Sequence, residues 1–372
     1  MIFGDSSQSS LIDDGGFNWK TGEREAPLSN TGAVVVSKDF DVSVGWVTMS
    51  FRVDSFDNLL PLVGLVGNTY CCHLMDELVD TQGSFRGYKN VRRFALGAII
   101  AYTELRNDFI LVLPQSTVEC INLPYLLLLI KDLLTVDGAR ITRLDLTIDD
   151  LRKSIRISDF SQSYQAGCMV ARTKAARDVV EYSAPGIKSQ DMFTIGKRSS
   201  QFYVRIYDKE LESKGKSNAI RFEAELKDDL AHYTILKLVS TSFSLSPVFS
   251  VDLSDPISSF SFQAFVNTVL GVISSKLDFR DVTSHSNVNR RTRLVFWEKF
   301  LQGVQKVKVF IPRKKATIET VKLWFEEKVS TSLALLNEYL GSEASLYFSS
   351  VLDYGYSRFK PRHTAILANA LA

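Results

Sequence analysis

Residues 191–226 read DMFTIGKRSSQFYVRIYDKELESKGKSNAIRFEAEL and decide the fold, because two runs within them alternate strictly between apolar and polar residues across a polar turn. In QFYVRIYDK a period of two puts Tyr203, Arg205, Tyr207 and Lys209 on one face of a strand, with Phe202, Val204 and Ile206 on the other. In IRFEAEL the same rule sets Arg221, Glu223 and Glu225 against Ile220, Phe222, Ala224 and Leu226. Neighbouring strands with one apolar and one charged face belong to an antiparallel sheet that is covered on one side. Its charged face then carries a phenol between two cations and, beside it, a pair of acids.

Working outward, ARITRLDLTIDD at 139–150 repeats the pattern, with Arg143, Asp145, Thr147 and Asp149 alternating with Leu144, Leu146 and Ile148. Any one of these strands alone reads as the wet side of an ordinary sheet. Together, carboxylates on adjacent strands and a tyrosine flanked by Arg and Lys point to metal-assisted phosphoryl transfer with a tyrosine nucleophile. A free phenol titrates at about pH 10. Arg205 and Lys209, each about 6–7 Å from Tyr207 along the strand, are expected to favour the phenolate or to grip the phosphate. Tyr203 shares the face and is the rival nucleophile, with Gln201 in place of a cation on its N-terminal side.

RLDLTIDD, IGKRSSQFYVRIYDK and IRFEAELKDD, in that order and at that spacing, resemble the replication initiation factors of rolling-circle plasmids and filamentous phages. The likeness is good over roughly residues 140–235 and looser elsewhere. It implies a site-specific single-strand DNA endonuclease and ligase related to the His-hydrophobic-His nickases. In such a protein the tyrosine at position 207 becomes joined to DNA, and Asp145 with Glu223 or Glu225 holds the metal. The products are a 5′-phosphotyrosyl link and a 3′ hydroxyl that primes synthesis. Origin DNA, single-stranded or supercoiled, is the implied partner, together with a host helicase and polymerase and a possible second copy of the chain. In place of the histidine pair of the wider superfamily stands Asp145-Leu146-Thr147, so all-oxygen ligation favours Mg2+ or Mn2+. Strand rise separates Asp145 from Asp149 by roughly 13 Å and Glu223 from Glu225 by about 6–7 Å. The expected metal pair is therefore Asp145 and Glu223, with Glu225 and Asp149 as orienting groups.

The 372 residues, 45% apolar and 23% charged, fit one large or two smaller domains of a water-soluble chain. A net charge of +2 confines any nucleic-acid affinity to local patches. Cys71, Cys72, Cys120 and Cys168 have no CxxC spacing, which reads as a reduced, cytoplasmic setting. His73, His232, His285 and His363 are not spaced as paired ligands, against a zinc site. LPYLLLLI at 123–130 falls far short of the ~18 apolar residues of a membrane span and reads as a buried helix. No charged start followed by an apolar core marks a secretion signal.

In chain order, residues 1–31 are rich in Ser, Gly, Asp and Asn and read as a flexible tail. Residues 32–247 read as an α+β catalytic domain, a mostly antiparallel central sheet flanked by helices. VSVGWVTMSFRV predicts a strand, Asp54 a helix cap, 85–102 and 108–113 a hairpin or meander, and 227–240 a helix behind the sheet. A boundary is placed near 247–257, where prolines punctuate the chain. Residues 248–372 then read as a helical DNA-binding or accessory domain whose Trp297, Phe300, Leu301, Trp324 and Phe325 form core.

Nine basic residues (Arg290, Arg291, Arg293, Lys299, Lys306, Lys308, Arg313, Lys314 and Lys315) face one acid, Glu298, in residues 286–316. Such a cluster in a nearly neutral chain predicts DNA contact. The turn at Gly196, Lys197, Arg198, Ser199 and Ser200 is either a phosphate-holding loop or a plain hairpin turn. Competing readings are a conjugative relaxase running the same reaction, a non-cutting origin-binding protein, and a carboxylate nuclease that activates water.

Overall fold

The alternating runs fold into one antiparallel sheet. The structure, a computed structural model, describes residues 17–18, 23–24, 39–52, 78–80, 83–94, 96–103, 108–136, 138–243, 258–302, 304, 306–311 and 317–371. The sheet strands are β1 (Phe40–Arg52), β2 (Leu78–Asp80), β3 (Asn90–Phe94), β4 (Ile99–Thr103), β5 (Asp108–Leu113), β6 (Arg140–Asp150), β7 (Ala176–Ala184), β8 (Ile187–Ile195), β9 (Phe202–Asp208) and β10 (Ile220–Lys227). Their order is β7-β8-β9-β10-β6-β1-β5-β4-β3-β2. The three strands that sequence alternation singled out, β9, β10 and β6, therefore lie side by side near the middle, where both edges of each are hydrogen-bonded.

One face of this sheet is a packed core. Leu144, Leu146, Ile148, Val204, Ile206, Phe222, Ala224 and Leu226 are buried there, with the helices α1 (Leu123–Leu133), α2 (Ile157–Gln165), α3 (Asp228–Ser242), α4 (Phe262–Lys276) and α5 (Val295–Leu301) contributing to the same cluster. The run Leu126–Ile130 of α1 is buried on every side, which accounts for its lack of any polar face. Acids at Asp228 and Asp229 sit in the first turn of α3, where the helix dipole favours them. Each fully buried leucine or phenylalanine contributes roughly 1.5–3 kcal/mol.

Strand β1 departs from strict alternation. Val42 and Val44 are buried, and so are Val47, Met49 and Phe51, which lie one residue out of phase with them. A bulge between Val44 and Trp46 absorbs the slip. It needs Gly45, since a Cβ there would lie 2.7 Å from Thr147 Cγ2. Gly45→Ala is expected to lower stability by about 1–3 kcal/mol, measured by urea unfolding; a loss within error would remove the close packing as the reason for glycine.

The chain divides between Ile311 and Pro312 into two units. The expected boundary near 247–257 lies largely outside the described residues. The helices beyond it, α4 and α5, are part of the first unit, because Phe265, Trp297 and Phe300 pack into its core. Strands do not cease there either, since Leu277–Phe279 pairs with Met169–Ala171. The second unit holds helices Ile318–Lys328, Ser330–Leu340, Ala344–Ser357 and Pro361–Leu371. Trp324 and Phe325, expected in a core, are exposed there. The expected tail lies outside the described residues apart from the pairing of Phe17–Asn18 with Glu23–Arg24. The Asp54 helix, Cys71 and Cys72 also lie outside them. No helix among the described residues is long and apolar enough to cross a membrane.

Candidate active site

The face opposite the helices is a grid whose rows are fixed by strand register. Tyr207 lies opposite Arg221, which lies opposite Asp149. In the next row come Arg205, Glu223, Thr147 and Ser43, and after it Tyr203, Glu225, Asp145 and Trp46. Adjacent strands stand about 4.8 Å apart, so groups in one row touch while each side chain also meets the row above or below. A cavity of about 710 Å³ opens over this grid, lined among others by Trp46, Arg143, Asp145, Thr147, Arg205, Tyr207 and Glu223. Tyr207 is half-buried on its wall, and Tyr203 is not among the lining residues.

Each acid of the grid faces a base. Arg143 Nε and Nη2 donate to the two oxygens of Asp145 at 2.8 and 2.6 Å. Arg143 Nη2 also lies 3.2 Å from Glu225 Oε2. Glu225 Oε1 is 2.8 Å from Lys227 Nζ, while its buried Oε2 accepts no hydrogen bond. Arg205 Nη2 donates to Glu223 Oε1, and Tyr207 Oη donates to Glu223 Oε2 at 3.3 Å. Asp149 accepts from Arg221 Nε at 2.6 Å and Nη2 at 2.8 Å, and from Lys209 Nζ at 2.9 Å.

These environments separate the carboxyls. Burial, with help from Glu223 and Glu225, pushes Asp145 up to about 7 against the pull of Arg143. Burial also acts on Asp149, but the bonds and charge of Arg221 and Lys209 outweigh it and hold this acid below the usual carboxylate range. Glu225 is likewise held low, because Lys227 and Arg143 outweigh the effect of burial. The phenol of Tyr207 is raised above its ordinary value by burial first and by Glu223 second, with Arg221 and Arg205 opposing.

Several expectations need correcting. Lys209 is not on the strand face beside Tyr207. β9 ends at Asp208, whose side chain accepts from Glu210 N at 2.9 Å and caps a helical turn that Lys209 begins. Arg205 and Lys209 are committed to Glu223 and Asp149, so the phenol at rest is harder to ionise, not easier. Asp149 is saturated by two cations. Asp145 pairs across the strands with Glu225, leaving Glu223 one row away.

Sequence reasoning missed Trp46 and Arg221 as members of the site. Trp46 reaches this face only through the bulge, whereas Arg221 was visible as the residue alternating with Glu223. The turn at 196–200 closes on itself. Gly196 has φ +94°, and Ser200 Oγ donates to Lys197 O at 2.6 Å and to Phe202 O at 2.7 Å. That is the hairpin-turn reading, with Lys197, Arg198 and Ser199 exposed and Arg198 on the cavity wall.

The basic stretch is partly internal. Asp278, only 1% exposed, draws Arg293 (3.2 Å), Lys306 (3.1 Å) and Arg280 (2.8 Å), and accepts from Trp297 Nε1 at 2.9 Å. Arg293 and Lys306 thus neutralise a buried acid from outside the counted segment. Arg290, Lys299 and Lys308 are exposed, Arg291 Nε donates to His285 O at 2.9 Å, and Arg313, Lys314 and Lys315 lie outside the described residues.

For a cation the face offers only hard oxygen ligands. Among the described residues no three acids converge as they are placed, since each is turned to a base. The donor chemistry nonetheless fits a divalent ion. A carboxyl held at about 7 by burial and two acid neighbours, and a buried oxygen of Glu225 without a hydrogen-bond donor, both gain from nearby positive charge.

No curated protein matches this sequence. Among solved structures, a rolling circle replication initiator protein from Geobacillus stearothermophilus superposes with a TM-score of 0.56 at 18% identity, over 74% of this chain and 100% of that one, which establishes a shared fold. The sequence pattern of the replication initiation factor family matches residues 139–352, more than half of the chain, and that span takes in β6, β9 and β10 with the whole acid–arginine grid. The chain belongs to the replication initiation factor family.

Proposed function

We propose that this protein starts rolling-circle copying by cutting one strand at an origin and remaining attached to it through Tyr207. The observation that carries the reading is the phenol of Tyr207 hydrogen-bonded to Glu223 on the wall of a cavity shared with Arg205, Arg143 and Asp145. Tyr207 Oη attacks the phosphorus, its proton passes to Glu223 Oε2, and the 3′ oxygen leaves and takes up a proton. The bond formed is a 5′-phosphotyrosyl ester, so the ester energy is kept and the same site rejoins ends. Arg205 and Arg221 stand beside the phenol to meet charge that builds on the phosphate. Asp145 and Glu225 would hold Mg2+ or Mn2+, which supplies charge neutralisation at the phosphate and at the leaving oxygen.

The partners of this reading are origin DNA, a host helicase and a polymerase in the cytoplasm, with exposed Arg290, Lys299 and Lys308 and the helical second unit as further DNA contacts. The test is incubation with supercoiled DNA carrying the element's own intergenic region. With Mg2+, nicked circles bearing protein on the 5′ end are expected; with chelator they fall by at least about a hundredfold. Binding without any scission, under every metal tried, points instead to a non-cutting origin-binding protein.

A further inference from the structure

Arg143 is placed unlike the other bases of the grid. Its guanidinium is shared between Asp145 and Glu225, which face each other across β6 and β10, and its centre lies 4.6 Å from the centroid of the Trp46 ring. Trp46 is itself held in place: Nε1 donates to Thr48 Oγ1 at 2.9 Å, and the ring packs on the small cluster of Val91, Ala101, Ile110 and Val112. The side chain of Arg143 remains 15% exposed and lines the cavity. A cation thus sits between two carboxylates in the most deeply buried acid pair of the face, on a flexible stem beside a flat, fixed rest.

We infer that Arg143 is an exchangeable counter-cation: it fills the space between Asp145 and Glu225 until a divalent ion displaces it, and the freed guanidinium then takes a DNA phosphate in the cavity. This rests on the reading of Asp145 and Glu225 as the metal-holding pair. Three features support the exchange. Glu225 retains Lys227 when Arg143 leaves, so it is not stranded. Glu225 Oε2 is in ion-pair range of Arg143 but accepts no hydrogen bond from it, so that half of the clamp is loose. A planar guanidinium sliding on an indole keeps its stacking while its donors turn toward a phosphate, which it can meet with two parallel bonds. Arg143 is then a competitor of the ion and a binding residue for the strand.

The experiment measures free Mn2+ by electron paramagnetic resonance as the protein is titrated, without DNA. Arg143→Gln is expected to bind Mn2+ about tenfold more tightly than wild type, the effect of removing one close positive charge, while Arg143→Lys stays within about threefold. Asp145→Asn is expected to lose the site. A second readout leaves Arg143 intact: Mg2+ should change the emission of wild-type protein by an amount missing in Trp46→Phe, as the guanidinium shifts across the ring. If Arg143→Gln binds Mn2+ no better than wild type while Asp145→Asn still abolishes binding, the counter-cation inference is overturned and the metal reading stands. If Mn2+ binding survives both Asp145→Asn and Glu225→Gln, the metal reading falls and this inference falls with it.

Discussion

Tyr207→Phe is expected to yield no covalent protein–DNA adduct and to lower cleavage of origin DNA at least about a thousandfold, the usual scale for loss of a nucleophile. The fold should hardly notice. The hydroxyl's 3.3 Å hydrogen bond to Glu223 is worth roughly 1 kcal/mol, and the ring stays where it is. Denaturing gels of labelled DNA after reaction would read the adduct, and thermal unfolding would check the fold. Tyr203→Phe is the control. Tyr203 is on the same strand face opposite Glu225 but does not line the cavity, so its loss should leave the adduct in place. An adduct persisting in Tyr207→Phe and vanishing in Tyr203→Phe would move the nucleophile by two rows of the grid. Cleavage that survives in both without any adduct would favour water activated by the carboxylates.

The second large effect is on stability. Asp149 accepts three hydrogen bonds from Arg221 and Lys209, and Arg221 is only 4% exposed. Asp149→Ala leaves that guanidinium buried without its carboxylate, and breaking a buried pair on one side costs about 3–5 kcal/mol. Unfolding in urea should show the loss directly, and Asp149→Ala with Arg221→Met together should recover part of it. A metal ligand would behave otherwise: its removal would spare the fold and cost ion binding. A stable Asp149→Ala protein with weakened Mn2+ binding would restore Asp149 to the metal set.

The sheet and the face that matters were legible because the relevant strands obey a period of two without interruption. Tyr207, Arg205, Glu223, Glu225, Asp145 and Asp149 all emerge on one side, as their spacing requires. What was not legible depended on pairing across the chain. Lys209 is the exception: the turn it starts is set locally by Asp208, whose side chain caps Glu210 and which the strand reading overlooked. The sign of the tyrosine shift did depend on such pairing. Arg205 and Lys209 are near Tyr207 in sequence, but each is claimed by an acid from another strand, so burial prevails. The basic stretch was overcounted because the partner of Arg293 and Lys306 is Asp278, outside the window in which charges were summed. The domain division was misplaced because Trp297 and Phe300 were rightly assigned to a core but not to whose core it was.

The slip in β1 has a consequence for how this chain tolerates change. Above residue 45 the strand shows its odd-numbered side chains to the oily layer, and below it the even-numbered ones, so the two halves are out of step by one. Removing that glycine outright would bring them back into step, with Val44, Trp46 and Val47 still opposite Leu146, Asp145 and Leu144 and only the bulge itself lost. A single missing codon there would thus straighten the strand without exchanging its oily and wet sides.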